Sequence, residues 1–340
     1  MRGALNLKGW AVALSDLAVF TQYAYDAAVQ TVAQQVALFN EASQGAIVLR
    51  SRDHLGDYSE VAQWKRLSGL VRRRNAYGTG NVPQISLAMI TDTMVKIAAG
   101  TPEVLMDPGQ FNWILQNPRV AGVIVGQQLG PDMVRDMFNT AILGLVTTLT
   151  SVPDLIVDRD ANPDVADQRA NFAMFNDGQA KFGDRYNAIT AWLMHSTPLF
   201  QLYANAMANK EQLFNFGNIN VQRDQFGRLL IASDAPGLKA AGTPNKFLTL
   251  GLVPGAVTVD QNNDYTDNVQ TLNGKENISR SFQAEWSYNL GVKGFAWNKQ
   301  TGGKSPADSA IGTAGSWSRI SGYNDRDLAG VVIRTNDAAA

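Results

Sequence analysis

Apolar residues recur every three or four positions at Leu17, Phe20, Ala24, Ala28, Val32, Val36 and Phe39, with Gln22, Asp26, Gln30 and Gln34 on the other side. This period predicts one amphipathic helix over 15–42. Ser15 or Asp16 can cap its start by accepting free backbone N–H groups, and Gly45 can end it. With little chain before it, such a helix is expected to lie against the body of the fold or against another copy. Residues 46–51 (AIVLRS) predict a short strand.

From Tyr58 to Gly100 the pattern predicts a long hairpin. It holds the basic run Arg72, Arg73 and Arg74, a turn-rich tip from Tyr77 to Pro83, and a second extended arm, QISLAMITDTMVKIA. An isolated two-stranded hairpin is marginal in water, so this one needs support from its own body or another subunit. On an extended arm alternate residues point to opposite faces, so the three arginines cannot all serve one partner.

Pro131, after Gly130, opens the clearest helix, at a position where the missing N–H has no partner anyway. Val134, Phe138, Ala141, Ile142, Leu145 and Leu149 form its apolar stripe, and Pro153 marks the stop. At 1.5 Å per residue this is a rod of about 30 Å. Pro118 to Leu129 predicts a preceding helix, with a bend at Gly130-Pro131. Residues 153–166, with two prolines and four aspartates, are the best internal boundary.

Beyond that boundary the pattern predicts a helix over 167–181, a buried strand from Ile189 to His195, and a helix from Thr197 to Ala208. Two strands joined at Asp224 to Gly227 follow, then an apolar strand pair over 246–259 broken at Pro254-Gly255. The strongest strand is 280–297. There Phe282, Ala284, Trp286, Tyr288, Leu290 and Val292 alternate with Ser281, Gln283, Glu285, Ser287, Asn289 and Gly291, giving about 40 Å of strand. The closing LAGVVIRT predicts a last short strand. The fold class is α+β, without an internal repeat.

Composition narrows the function classes. A length of 340 residues suits one large domain or two ordinary ones. Lys and Arg number 29 against 30 Asp and Glu, a balance that excludes a basic nucleic-acid reader. Charged residues are only 17%, and weak self-repulsion suits a subunit that assembles with its copies. Cysteine is absent, which excludes disulfides, thiolate metal sites and a thiol nucleophile. The apolar run Trp10 to Leu14 ends at Asp16, too short for a secretory signal. Val120 to Leu149 is interrupted by polar residues and is no spanning helix. The expectation is a soluble chain, intracellular at synthesis, with no membrane partner.

Motifs with chemistry are weak. Asn298 to Ser305 (NKQTGGKS) ends in Gly-Lys-Ser, but Asn298 stands where a phosphate loop needs glycine, and Pro306 lacks an N–H. Asp260, Asn262, Asp264 and Asp267 are spaced like the start of a calcium loop. Its glycine is missing at Tyr265, and Thr271 stands where a bidentate Glu belongs. His195 ends an apolar strand and His54 lies in a polar loop beside Asp53; both fit structural roles better than catalysis. No catalytic residue, cofactor or metal site is expected. The Arg72–Arg74 run fits a solvated face, a DNA contact or a contact to an acidic neighbour.

The segment KFGDRYNAITAWLMHSTPLFQLYANAMANKE resembles the major capsid proteins of tailed bacteriophages. The resemblance continues through NKFLTLGLVPGAVTV, RSFQAEWSYNLGVKGFAWN and DRDLAGVVIRTN, and it fits the front half in the order of its elements. It covers nearly the whole chain and looks like the lineage without a cleaved N-terminal scaffolding domain. It implies the tailed-phage capsid fold. The N-arm would be 1–45, the extended loop and peripheral strands 46–106, and the spine-helix region 107–152. The axial domain would be 153–260, and 261–340 would return to the peripheral domain.

As function, the resemblance implies a structural, non-enzymatic protein of the virion capsid. Pentamers and hexamers would enclose double-stranded DNA, with assembly in the host bacterial cytoplasm. Implied partners are the chain's own copies, portal and scaffolding or cement proteins, and DNA contacted without sequence specificity. Arg72, Arg73 and Arg74 are then expected at an intersubunit contact. Two other readings stay open: an encapsulin-like compartment shell, and a soluble nucleotide-binding enzyme using Gly303 to Ser305. The family's Lys–Asn cross-link matches no pair in this chain residue by residue.

Overall fold

In the computed structural model the first apolar period folds as α1 (Leu14–Ala42), burying Phe20, Ala24, Ala28, Val32 and Phe39. Ser15 and Asp16 fall inside it rather than before it. Its end is as expected: Gln44 and Gly45 take φ values of 51° and 69°, and the Gly45 N–H reaches the Asn40 carbonyl at 3.1 Å. The structure describes residues 14–54, 56–65, 70–106, 117–204, 211–216, 219–223, 229–274, 276 and 279–338.

After α1 come β1 (Ile47–Ser51), β2 (Tyr58–Trp64), β3 (Met89–Gly100) and β4 (Val104–Met106), then α2 (Pro118–Thr150). Next are β5 (Ile156–Asp158), α3 (Val165–Gln168), α4 (Ala173–Phe182), β6 (Ala191–Met194) and α5 (Ser196–Ala204). The strands β7 (Glu211–Phe216), β8 (Ile219–Arg223), β9 (Leu229–Ser233), β10 (Lys239–Ala240) and β11 (Lys246–Leu252) follow. Then come β12 (Val257–Gln261), β13 (Thr266–Leu272), β14 (Ser279–Val292) and β15 (Phe295–Trp297). The chain closes with α6 (Lys299–Gly302), α7 (Asp308–Ile311), β16 (Trp317–Arg319) and β17 (Gly330–Asn336). The expected turn at 224–227 and the expected helix end at Ala208 lie outside the described residues.

Four expectations are corrected. Instead of two helices with a bend, α2 is one helix of 33 residues with Pro131 inside it. Pro131 forfeits one backbone bond, but the ring's usual clash with the preceding Cβ is absent because that residue is Gly130. The second arm of the loop becomes a strand only at Met89; residues 70–88 carry none. The strand expected over 280–297 ends at Val292, where Lys293 and Gly294 turn the chain so that Val292 faces Phe295. Gly294 has φ 84°, a left-handed conformation that favours glycine. The expected strand pair over 246–259 separates: β11 joins one sheet and β12 the other, parting at Pro254-Gly255.

The chain divides into two compact units, residues 1–34, 99–134 and 264–286 forming one, and 35–98, 135–263 and 287–340 the other. In the first unit β13 and β4 both pair antiparallel with the first half of β14. Phe282 of that strand meets Phe20 edge to face, ring centres 5.9 Å apart. Gly122, Gly126 and Gly130 of α2 line a seam against α1. A Cβ on Gly126 would lie 2.3 Å from the Ala24 carbonyl oxygen, so only glycine lets these backbones approach.

The second unit holds two sheets. In one, β1 runs parallel to β12, which pairs antiparallel with the second half of β14; β15 and β16 continue the order. The expected stripe of α2 is buried here, Phe138 meeting Phe39 edge to face at 5.3 Å. Buried Tyr288 donates its hydroxyl to Asp136 Oδ2 at 2.8 Å. The other sheet has the order β5-β17-β11-β6-β9-β8-β7, with β10 beside β11. At its centre Trp192 fills space left by Gly178 and Gly251, each of which would place a Cβ 2.6 Å from the indole ring.

Candidate functional site

The extended loop starts from a regular hairpin. Strands β2 and β3 pair antiparallel from Tyr58 with Val95 to Trp64 with Met89. Among the described residues, burial in these two strands reaches only Thr93, Met94, Val95 and Ile97, near the base. Beyond Lys65, residues 70–87 are exposed throughout. Val71 is 94% exposed and Tyr77 is 96% exposed, and Leu70, Val82, Ile85 and Leu87 are also bare.

Arg72, Arg73 and Arg74 lie in this stretch, all exposed and in no ion pair among the described residues. No strand forms there, so the expected alternation of faces does not apply to them. They carry charge beside bare apolar side chains, a combination suited to a surface that meets another molecule.

The base of the loop is held by the segment that raised the phosphate-loop question. Lys299 pairs with Glu60 and stands over the Tyr58 ring, 5.0 Å from its centre. Lys304 pairs with Asp57 at 2.8 Å, which holds the Asp57 carboxyl below its ordinary range. Asn298 caps α6 by accepting from the Gln300 N–H at 3.0 Å. A Cβ at Gly302 would lie 2.2 Å from the Trp297 ring, and the Trp297 indole N–H donates to the Gly303 carbonyl at 3.0 Å. Here glycine makes room for tryptophan, and both lysines hold the hairpin.

The remaining candidates have structural partners. His195 Nδ1 accepts from the Thr197 N–H at 3.2 Å at the start of α5, and Nε2 faces Asp234 at 3.5 Å. Burial pushes the His195 pKa down. His54 Nε2 lies 2.6 Å from the Tyr58 carbonyl oxygen. Buried Asp260 pairs with Arg50, one guanidinium N–H donating at 3.1 Å. Asn262 donates to Ser287 Oγ at 2.8 Å and accepts from Asn289 at 3.0 Å. Among the described residues no group of three or more acidic, His or Cys side chains could hold a metal ion, and no helix is long and apolar enough to cross a membrane.

The glycine seam escaped the sequence reading. Its signal is the repeat of glycine at every fourth position in GVIVGQQLG, visible once the two helices are taken as one.

The model of the family described as Gp13-like, major capsid protein 13-like, matches residues 16–332. No curated protein matches the chain. Among solved structures, the Cyanophage Pam1 capsid asymmetric unit is similar with a TM-score of 0.51 and 10% identity, covering 87% of each chain. The capsid of Ralstonia phage GP4 gives a TM-score of 0.50 and 10% identity over 86% of this chain and 88% of that one. A chain of Mycobacterium phage Cain gives 0.50 and 12% identity over 88% and 91%. At these identities the likeness is one of fold, and the α+β capsid fold is the one this chain adopts.

Proposed function

The chain belongs to the major capsid protein 13-like family, and from that premise we propose that its copies form pentamers and hexamers of a closed icosahedral shell around double-stranded DNA. One observation carries the assembly step. Residues 70–87 are exposed from end to end, apolar side chains included. Apolar surface gains when removed from water, by about 25 cal/mol per Å², so this stretch is suited to lie on a neighbouring subunit. The near-neutral charge lets many moderate contacts accumulate.

On this reading residues 1–45 are the N-arm, 46–106 the extended loop with peripheral strands, 107–152 the spine region, 153–260 the axial domain, and 261–340 the peripheral return. The protein is a building material of the virion, assembled in the host cytoplasm with portal and scaffolding or cement proteins. At least one of Arg72, Arg73 and Arg74 pairs with a carboxylate of another copy. Truncating one partner of a desolvated intersubunit pair costs about 2–5 kcal/mol, and the loss recurs in every copy.

The test is electron microscopy and sedimentation of purified protein, wild type beside the triple Arg72/Arg73/Arg74→Ala variant. Closed shells from wild type, and a variant that stays folded yet gives weaker shells, support the reading. A compact monomer at all salt and protein concentrations sinks the shell. Variant shells as resistant to heat and denaturant as wild type sink the arginine contact alone. A shell enclosing protein cargo in the infected cell selects the compartment reading instead.

A further inference from the structure

A cavity of about 520 Å³ in the second unit is bordered by Trp64, Arg185, Pro254, Lys293, Tyr323 and Arg326. Its cations are not equally matched. Arg185 pairs with Asp327, and Arg326 with Asp184 at 2.7 Å. Lys293, in the two-residue turn between β14 and β15, has no carboxylate partner among the described residues; its ammonium donates to the Pro254 carbonyl at 3.2 Å. Burial, then the nearby Arg185 charge, push the Lys293 pKa down. An anion placed against it would relieve that strain on the charged form.

The rim points to the source of the anion. Trp64, the last residue of β2, is 66% exposed, and half-buried Tyr323 lines the same cavity. Tryptophan, tyrosine and arginine around one concavity are the residues that dominate protein interfaces. A free ion would meet the cations and leave the Trp64 ring in water; a polypeptide segment would cover it.

We infer that this cavity receives an acidic side chain from a second copy of this chain, its carboxylate pairing with Lys293 while Trp64 and Tyr323 flank the segment that carries it. The inference rests on the shell reading. It names a contact separate from the arginines of the extended loop.

The experiment uses shells assembled from mixed heavy-isotope and unlabelled full-length protein, treated with a carbodiimide, which joins a carboxyl to an amine without a spacer. The expected result is a product linking Lys293 to Asp or Glu with one heavy and one light peptide. Acetic anhydride should modify Lys293 about tenfold faster in free subunits than in shells. Lys293→Met, which keeps the length and removes the charge, should raise the protein concentration needed for assembly by about tenfold, a step of about 1.4 kcal/mol. Its unassembled subunits should melt like wild type.

Equal reactivity of Lys293 in subunits and shells overturns the inference, as do links found only within one copy. Protection by inorganic phosphate in free subunits with no intercopy product identifies a free-anion site and overturns it too. Wild-type and Lys293→Met shells assembling alike refute this contact and leave the shell reading standing. A wild type that forms no shell overturns both.

Discussion

The seven-strand path from β5 to β7 and the extended loop from Tyr58 to Gly100 both carry large apolar side chains and treat them in opposite ways. All of β6 and β9 is buried, and so is β17 apart from Arg334. Each of these strands has a neighbour on both edges. Among its described residues the loop has strand pairing only at its base, and its apolar residues between Leu70 and Leu87 stay in water. The sheet closes within one chain, whereas the loop leaves closure to something else. The difference lies in what covers the two faces, because a hairpin supplies two strands and no layer above or below.

The largest expected effect comes from opening the closed region. Trp192→Ala removes the ring that Gly178 and Gly251 accommodate and leaves a cavity. It should cost about 3–5 kcal/mol, read by denaturant unfolding of the subunit. Wild-type stability in this variant would show that the sheet is not the self-sufficient region.

Overfilling the same place is milder. Gly251→Ala adds a Cβ 2.6 Å from the Trp192 ring and 2.8 Å from a Val331 methyl. A loss of about 1–3 kcal/mol is expected, with Tm as the readout. An unchanged Tm would mean that the indole can shift at no cost.

Between the regions in effect stands Asp92 on β3, whose carboxyl burial pushes up to about 6. Its folded pKa exceeds the unfolded value, so its contribution to stability is full below about pH 4 and is lost as pH rises through 6. Asp92→Asn should therefore match wild type near pH 4. It should be more stable at pH 7 by about 1–2 kcal/mol, allowing for the solvent that still reaches the group. Melting curves across this range check it; a constant difference at all pH values would rule out titration of Asp92 as the cause.

The smallest effect on the subunit belongs to the open region. Val71→Ser should change the stability of the unassembled chain by no more than about 0.5 kcal/mol. The same variant should lower the yield of shells. A subunit destabilised by 2 kcal/mol or more would show that the loop packs on its own chain, and the contrast with the sheet would fall.

Much of the local structure was legible in the pattern of residues. The period of three and four over Leu17 to Phe39 became α1, and the stripe from Val134 to Leu149 is buried in α2. Both rest on short-range geometry, which residue spacing encodes directly. The extended loop was legible as an excursion because its turn residues and polar run interrupt any core pattern. The alternation in β14 was only half informative. Gln283 and Glu285 are exposed between buried neighbours, but from Ser287 onward both faces are buried. Strict alternation marks a strand with one face in water, and it fades where a second layer covers the other face.

What tertiary structure alone decided is which elements meet. Residue types at 246–259 mark two strands but not that Pro254-Gly255 sends them to different sheets, since partners for β11 and β12 come from β17, β6, β1 and β14, far along the chain. Pro131 has the features of a helix start, yet it lies inside one continuous helix; Gly130 before it spares the ring a Cβ, and close packing of that glycine on α1 holds the helix across this point. The basic segment at 298–305 carries the letters of a phosphate loop, and its lysines instead meet Asp57 and Glu60, more than 230 residues earlier. Spacing along the chain records the period of a helix or strand, which local sterics fix. Long-range pairing depends on shape and charge brought together only after the chain has folded.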